Sequence, residues 1–215
     1  ESLGNEELLL PKGFVCDQCN NGVLSNLDEY LINFEPIAFL RVQFVPYDKK
    51  GKLPSANFQN MTIEKTHPRH LKIEAKDRTG WRKNEKDLGN GWYSWQQTMR
   101  GKAPNIKRLG RALYKIALGT IALDHGPAKV LDSKYDLVRS FIHGGNGFPN
   151  NLLIQMKSVV PGPQVRVSYY DLVEGTPFEI DIYGLTFLMN LSETPVMQVA
   201  GELKTLGFEV FPLHD

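Results

Sequence analysis

The chain has 215 residues, 41% hydrophobic and 23% charged, with two cysteines and a formal net charge of +1. That size suits one large or two small domains with a buried core. No apolar run approaches the roughly 18 residues that a membrane span needs, and two cysteines exclude a disulfide-built scaffold.

The net charge conceals a partition. Residues 1–40 carry one base and seven acids, residues 64–115 fourteen bases and five acids, and residues 150–215 three bases and eight acids. A central block of +9 between two acidic segments points to a polyanionic partner such as DNA, against the plainer reading of a solvated charged surface. Glu1 to Glu7 is acidic and lacks the apolar core of a signal peptide. With the thiol spacing described below, that leads to the expectation of a cytoplasmic protein with no membrane association.

In chain order, Pro11 and Gly13 break any helix and leave Phe14-Val15 as a short strand. Cys16-Asp17-Gln18-Cys19-Asn20-Asn21-Gly22 follows. Ser25 is placed to cap a helix with Asp28 and Glu29 in its first turn and Leu27, Tyr30, Leu31 and Phe34 at helical spacing; Pro36 ends or kinks it. Residues 41–80 read as β. Val42, Phe44 and Tyr47 alternate, Asp48-Lys49-Lys50-Gly51 turns, and Met61, Ile63, Lys65 and then Leu71, Ile73, Ala75 alternate with polar neighbours. Residues 81–101 gather Trp81, Trp92, Tyr93 and Trp95 among Lys, Arg and Gly and read as loop or irregular structure.

The spacing of Ile106, Leu109, Leu113, Ile116, Ala117 and Ile121 predicts a helix over 104–124, with Pro104 in its first turn and His125-Gly126-Pro127 at its end. A shorter helix follows Asp132 or Ser133, with Leu137, Val138, Phe141 and Ile142 inward and Gly144-Gly145 as its stop. From Asn150 onward, strand-like runs around 152–156, 165–169, 178–183 and 186–190 are punctuated by Pro161-Gly162-Pro163, Glu174-Gly175 and Gly184, which reads as an antiparallel sheet. The expected class is α+β. It comprises a metal-knuckle segment (1–40), a basic β and helical region with two helices (41–149) and a β-rich C-terminal region (150–215).

Chemistry concentrates at Cys16 and Cys19. Thiols at C-x-x-C spacing can turn toward one ion, most often zinc, of which they supply two of four ligands. A redox pair and two small structural residues are the alternatives, although the parallel α/β setting of a redox C-x-x-C is missing. His67 and His70 have the right chemistry to complete a zinc site but lie 47 residues from the cysteines, far beyond finger spacing. His125 and His143, at helix ends, suit the helix dipole. In the basic block, Lys107, Arg111 and Lys115 fall on one helical face with Arg108 beside them, and Arg100 and Lys102 lead into it. With Arg78, Arg82, Lys83 and Lys86 they suit a phosphate backbone. Trp81, Trp92 and Trp95 suit base stacking or ordinary packing. Glu179 and Asp181 read as the solvent side of a strand, and the C-terminal region offers recognition or oligomerisation, not catalysis.

Leu3-Gly4-Asn5 followed by Phe14-Val15-Cys16-Asp17-Gln18-Cys19-Asn20-Asn21 resembles the downstream half of the HNH endonuclease motif. The resemblance covers roughly 30 residues. It implies a ββα-metal finger in which Cys16 and Cys19 hold a structural Zn²⁺, and Asn20, with Asn21 as a second candidate, stands on the helix beside a catalytic Mg²⁺ or Mn²⁺. The general-base His of the family would lie about four residues before Glu1, and the second cysteine pair also upstream. The chain alone is therefore expected to be a weak catalyst. Two expectations follow from different classes. One is an HNH-type, metal-dependent endonuclease, of bacterial type, that hydrolyses DNA phosphodiesters; the other is a zinc-stabilised nucleic-acid-binding or assembly module without catalysis, with homo-oligomerisation compatible with either.

Overall fold

A computed structural model describes residues 10–45, 47, 51–67, 70–76, 85–95, 104–146, 152–156, 162–170 and 176–192. The class is α+β. The helices are α1 (Asp17–Cys19), α2 (Ser25–Ile32), α3 (Glu35–Phe44), α4 (Ile106–His125) and α5 (Asp136–Ile142), with a π-type segment over Asn20–Leu24 joining α1 to α2. The strands are β1 (Ser55–Asn57), β2 (Met61–His67), β3 (His70–Ala75), β4 (Glu85–Gly89), β5 (Trp92–Trp95), β6 (Leu152–Met156), β7 (Val165–Tyr169), β8 (Pro177–Ile182) and β9 (Leu185–Asn190). They form antiparallel sheets ordered β1-β2-β3, β4-β5 and β6-β9-β8-β7. Among the described residues no helix is long and apolar enough to cross a membrane.

The long helix forms where its periodicity places it. The Asn105 side chain caps α4 by accepting the Arg108 N–H at 3.0 Å, and twenty residues give it a length of about 30 Å. Its apolar stripe, including Leu109, Leu113, Ala117 and Ile121, is buried and packs with α2, α5 and the C-terminal sheet in the main core. Tyr114 lies wholly inside, donating its hydroxyl to the Asn190 carbonyl of β9 at 3.0 Å. Burial pushes that phenol far above its ordinary range. The main core runs from Leu24 to Leu191, so all three sequence segments contribute to it.

The C-terminal sheet also follows its alternation. Tyr183 (φ 59°) and Gly184 (φ 90°) close the β8–β9 hairpin as a two-residue turn in which both residues are left-handed. Tyr183 holds that conformation while fully buried beside Phe44, with ring centroids 5.8 Å apart. Its phenol is pushed up to about 12 by burial, with Arg41 pulling the other way. Asp181 is not a bare solvent-side acid. Its carboxylate accepts the Gly184 N–H at 2.8 Å and the Thr186 hydroxyl at 3.2 Å, pinning the turn.

Five local expectations are corrected. Phe14-Val15 is not a strand: the Phe14 N–H reaches back to the Pro11 carbonyl at 3.2 Å, Gly13 sits at φ 93°, and the segment is a turn. Ser25 does not cap a helix: past the break at Gly22, Leu24 and Ser25 are themselves helical and α2 has no side-chain cap, while Cys16 caps α1. Residues 41–44, read as β, belong to helix α3; the preceding helix ends at Ile32, before Pro36, which stands in the first turn of α3. The apolar residues of α3 serve two surfaces: Ile37 and Leu40 enter the main core, while Ala38 and Val42 pack with Ala56, Phe58, Met61 and Ile63 in a second one. That doubled pattern hides the helical period. Residues 85–95 form a hairpin, turned by Asn90 (φ 54°) and Gly91 (φ 79°); an Asn-Gly pair is a turn signal that the surrounding aromatics obscure. In α5, Val138, Phe141 and Ile142 are buried, but Leu137 remains exposed.

Lys65 joins the two halves of this arrangement. Its alternation in β2 directs it inward, and it is 5% exposed. Its ammonium donates to the carbonyls of Gln43 at 3.0 Å and Val45 at 3.1 Å, where α3 ends and carbonyls lack helical partners. Burial holds its pKa below the ordinary lysine value. Replacing it by Met keeps the stem and strands both carbonyls, so urea denaturation of Lys65→Met should show a loss of about 2 kcal/mol with an unchanged m-value. Because the folded pKa is lowered, the unfolded chain binds more protons between that value and about 10.4. The wild type should therefore gain stability relative to Lys65→Met as pH rises through that window.

Candidate metal and nucleic-acid site

The Cys16 backbone is extended (φ −67°, ψ 147°) immediately before α1, so its side chain turns back over the first helical turn. Its sulfur accepts the Cys19 backbone N–H at 3.2 Å. The thiols also share a hydrogen bond that, with the Cys19 N–H, holds Cys16 below the ordinary thiol range; the same bond, with burial, pushes Cys19 up. Both thiols are free, Cys16 exposed and Cys19 half-buried against the main core. Two sulfurs converging on one turn suit two positions of a tetrahedral Zn²⁺ site. Among the described residues no group of three or more His, Cys, Asp or Glu side chains could hold a metal. His67 and His70 therefore do not join the cysteines in one site.

Asn20 and Asn21 lie on the next turn, both exposed. The Asn20 N–H closes back on the Cys16 carbonyl at 2.9 Å. Gly22 then departs from helical geometry (φ −106°, ψ −108°), bending the chain before α2. Past the bend, Leu24, Leu27 and Leu31 enter the core. Leu3-Gly4-Asn5 lies outside the described residues.

The basic helix face divides by function. Lys107 and Arg108 are exposed, and Arg108 lies 5.0 Å over the Tyr30 ring with a long contact to the Asn26 carbonyl at 3.5 Å. Arg111 turns inward, donating to Phe141 O at 2.8 Å and Gly145 O at 3.3 Å, and its guanidinium lies 5.2 Å over the Phe141 ring. It thereby satisfies carbonyls at the C-terminus of α5. Lys115 pairs with Asp28 at 2.5 Å and reaches the Leu24 carbonyl at 3.3 Å, tying α4 to α2. Arg100, Lys102, Arg78, Arg82, Lys83 and Trp81 lie outside the described residues, whereas Lys86 is exposed on β4.

The helix-end histidines find different settings. His143 follows α5 directly. His125 ends α4, and its Nε2 lies 2.8 Å from the Tyr169 hydroxyl, which in turn donates to Asp124 at 2.9 Å. The Tyr169 ring stacks on Phe178 with centroids 4.9 Å apart. This chain of polar contacts fastens the end of α4 to β7, a role that local sequence does not display because the partners are 44 residues apart. Comparison with protein-family profiles, with curated proteins and with solved structures returns no match.

The division of the cations is open to measurement. Arg111→Ala removes hydrogen bonds from a charged, partly buried donor and should cost about 2 kcal/mol in urea denaturation. Lys107→Ala should remain within about 0.5 kcal/mol of the wild type, so that any loss of DNA affinity in that variant reports contact and not unfolding.

Proposed function

We propose that the chain is part of an HNH-type, metal-dependent endonuclease acting on DNA phosphodiesters. The observation that carries this reading is the Cys16–Cys19 turn, with Asn20 and Asn21 exposed on the same short helical segment immediately behind it. In this reading Cys16 and Cys19 hold structural Zn²⁺, which orders a turn whose own apolar contacts are few. The Asn20 and Asn21 carboxamides offer oxygen to a hard divalent ion and N–H to a phosphate oxygen. A bound Mg²⁺ or Mn²⁺ supplies charge stabilisation for phosphodiester hydrolysis. The general base belongs to the position that the resemblance puts about four residues before Glu1. The exposed Lys107 and Arg108 supply phosphate contacts, with Arg100 and Lys102 adjoining them in sequence, in a cytoplasmic setting where thiols stay reduced.

A second reading, a zinc-stabilised binding or assembly module without catalysis, is favoured by the inward use of Arg111 and Lys115 and by the turn that replaces a strand at Phe14-Val15. Catalysis separates the two. A chain extended through the upstream His position should nick supercoiled plasmid with Mg²⁺ or Mn²⁺, and Asn20→Ala should reduce the rate at least tenfold. If the extended chain leaves plasmid intact with both metals and with several DNA forms, the enzyme reading is lost and the module remains.

Elemental analysis addresses the zinc directly. The purified chain should carry one Zn²⁺ per chain or per two chains at the cysteine turn, and Cys16→Ser should remove that share of the bound zinc. DNA affinity should fall steeply with salt as counterions are released, and a flat response argues against phosphate binding.

A further inference from the structure

We propose a second metal site, independent of the cysteine turn and of the nuclease reading, in which His67 and His70 chelate a borderline divalent cation such as Zn²⁺ or Ni²⁺ at the tip of the β2–β3 hairpin. The two histidines are opposite one another across the strands, and their ring centroids lie 5.1 Å apart at an interplanar angle of 39°. Both are exposed. With metal–nitrogen bonds of about 2.0–2.1 Å, two imidazoles on one tetrahedral ion hold their centroids about 5 Å apart. The pair is thus already at chelating distance.

A register shift produces this placement. Met61 through Lys65 pair in regular order with Ala75 through Leu71. Continued unchanged, that order sets Thr66 opposite His70 and sends His67 to the other face. Instead the ladder slips by one residue between Lys65 and His67, and His67 becomes the partner of His70. Bulges of this kind re-aim side chains at the ends of strands. Thr66, the residue displaced, turns its hydroxyl toward the His70 carbonyl at 3.5 Å.

Imidazole suits zinc, copper and nickel, and an ion held by two histidines keeps its remaining positions open for water or an anionic oxygen. The site lies within residues 64–115, where bases outnumber acids fourteen to five.

The test uses the full chain with Cys16→Ser and Cys19→Ser, so that the thiols contribute nothing, and Ni²⁺ as the probe in calorimetric titration. The expected result is one Ni²⁺ per chain, with affinity reduced at least tenfold by His67→Ala or by His70→Ala in the same background. Ni²⁺ should also raise the thermal midpoint of the cysteine-free chain and leave that of the His70→Ala variant where it was. Circular dichroism of each variant without metal checks that the hairpin substitutions leave the fold intact. Absence of Ni²⁺ binding in the cysteine-free chain, or binding unaltered by His70→Ala, overturns the site. Neither result bears on nicking by the cysteine-dependent centre.

Discussion

Helix α4 buries Leu109, Leu113, Ala117 and Ile121 along a length of about 30 Å, and a helix with that stripe has no stable position in water without cover on it. α2, α5 and the C-terminal sheet provide the cover, each from a different part of the chain. Much of the polar chemistry follows from this arrangement. Lys115 binds the acid that α2 presents, Arg111 closes the end of α5, Tyr114 reaches the backbone of β9, and His125 meets Tyr169 on β7. A helix fixed on several sides presents few exposed cations, and those that remain exposed, Lys107 and Arg108, lie in its first turn.

This bears on how charge in a sequence is read. Counting Lys and Arg along residues 64–115 treats each as surface charge. Lys65 contradicts the assumption most directly, since it is nearly buried and spends its donors on the carbonyls that end α3. Arg111 and Lys115 do so in part. The +9 balance remains a fact of composition, but the field outside the protein comes from the exposed fraction of it, because a cation paired with a carboxylate or set against helix-end carbonyls contributes less at a distance.

Elements with one buried face were legible. α4 shows a single helical stripe, and β2 and β8 alternate cleanly, so their periods survive in sequence. α3 escaped because it serves two cores: residues on two sides of the helix are apolar, and Val42 and Phe44 then imitate strand alternation. The start of the helical run at Asp17 escaped because its cap is a sulfur. Cys16 does what Ser or Asp usually does, while Ser25, the conventional signal, follows a residue that is already helical. At the candidate site the C-x-x-C spacing foretold convergence of two sulfurs, which is a local property. The opposition of His67 and His70 was not legible, since it depends on a one-residue slip that no spacing rule encodes.

The cysteine turn and the histidine pair differ in what they ask of the fold. The cysteine turn follows from local geometry: an extended residue before a helix, a backbone N–H aimed at sulfur, and a second thiol one turn on. The histidine pair requires the register of two strands, and that register is held by Ile63 and Met61 in the second core and by Lys65 fastening β2 to α3.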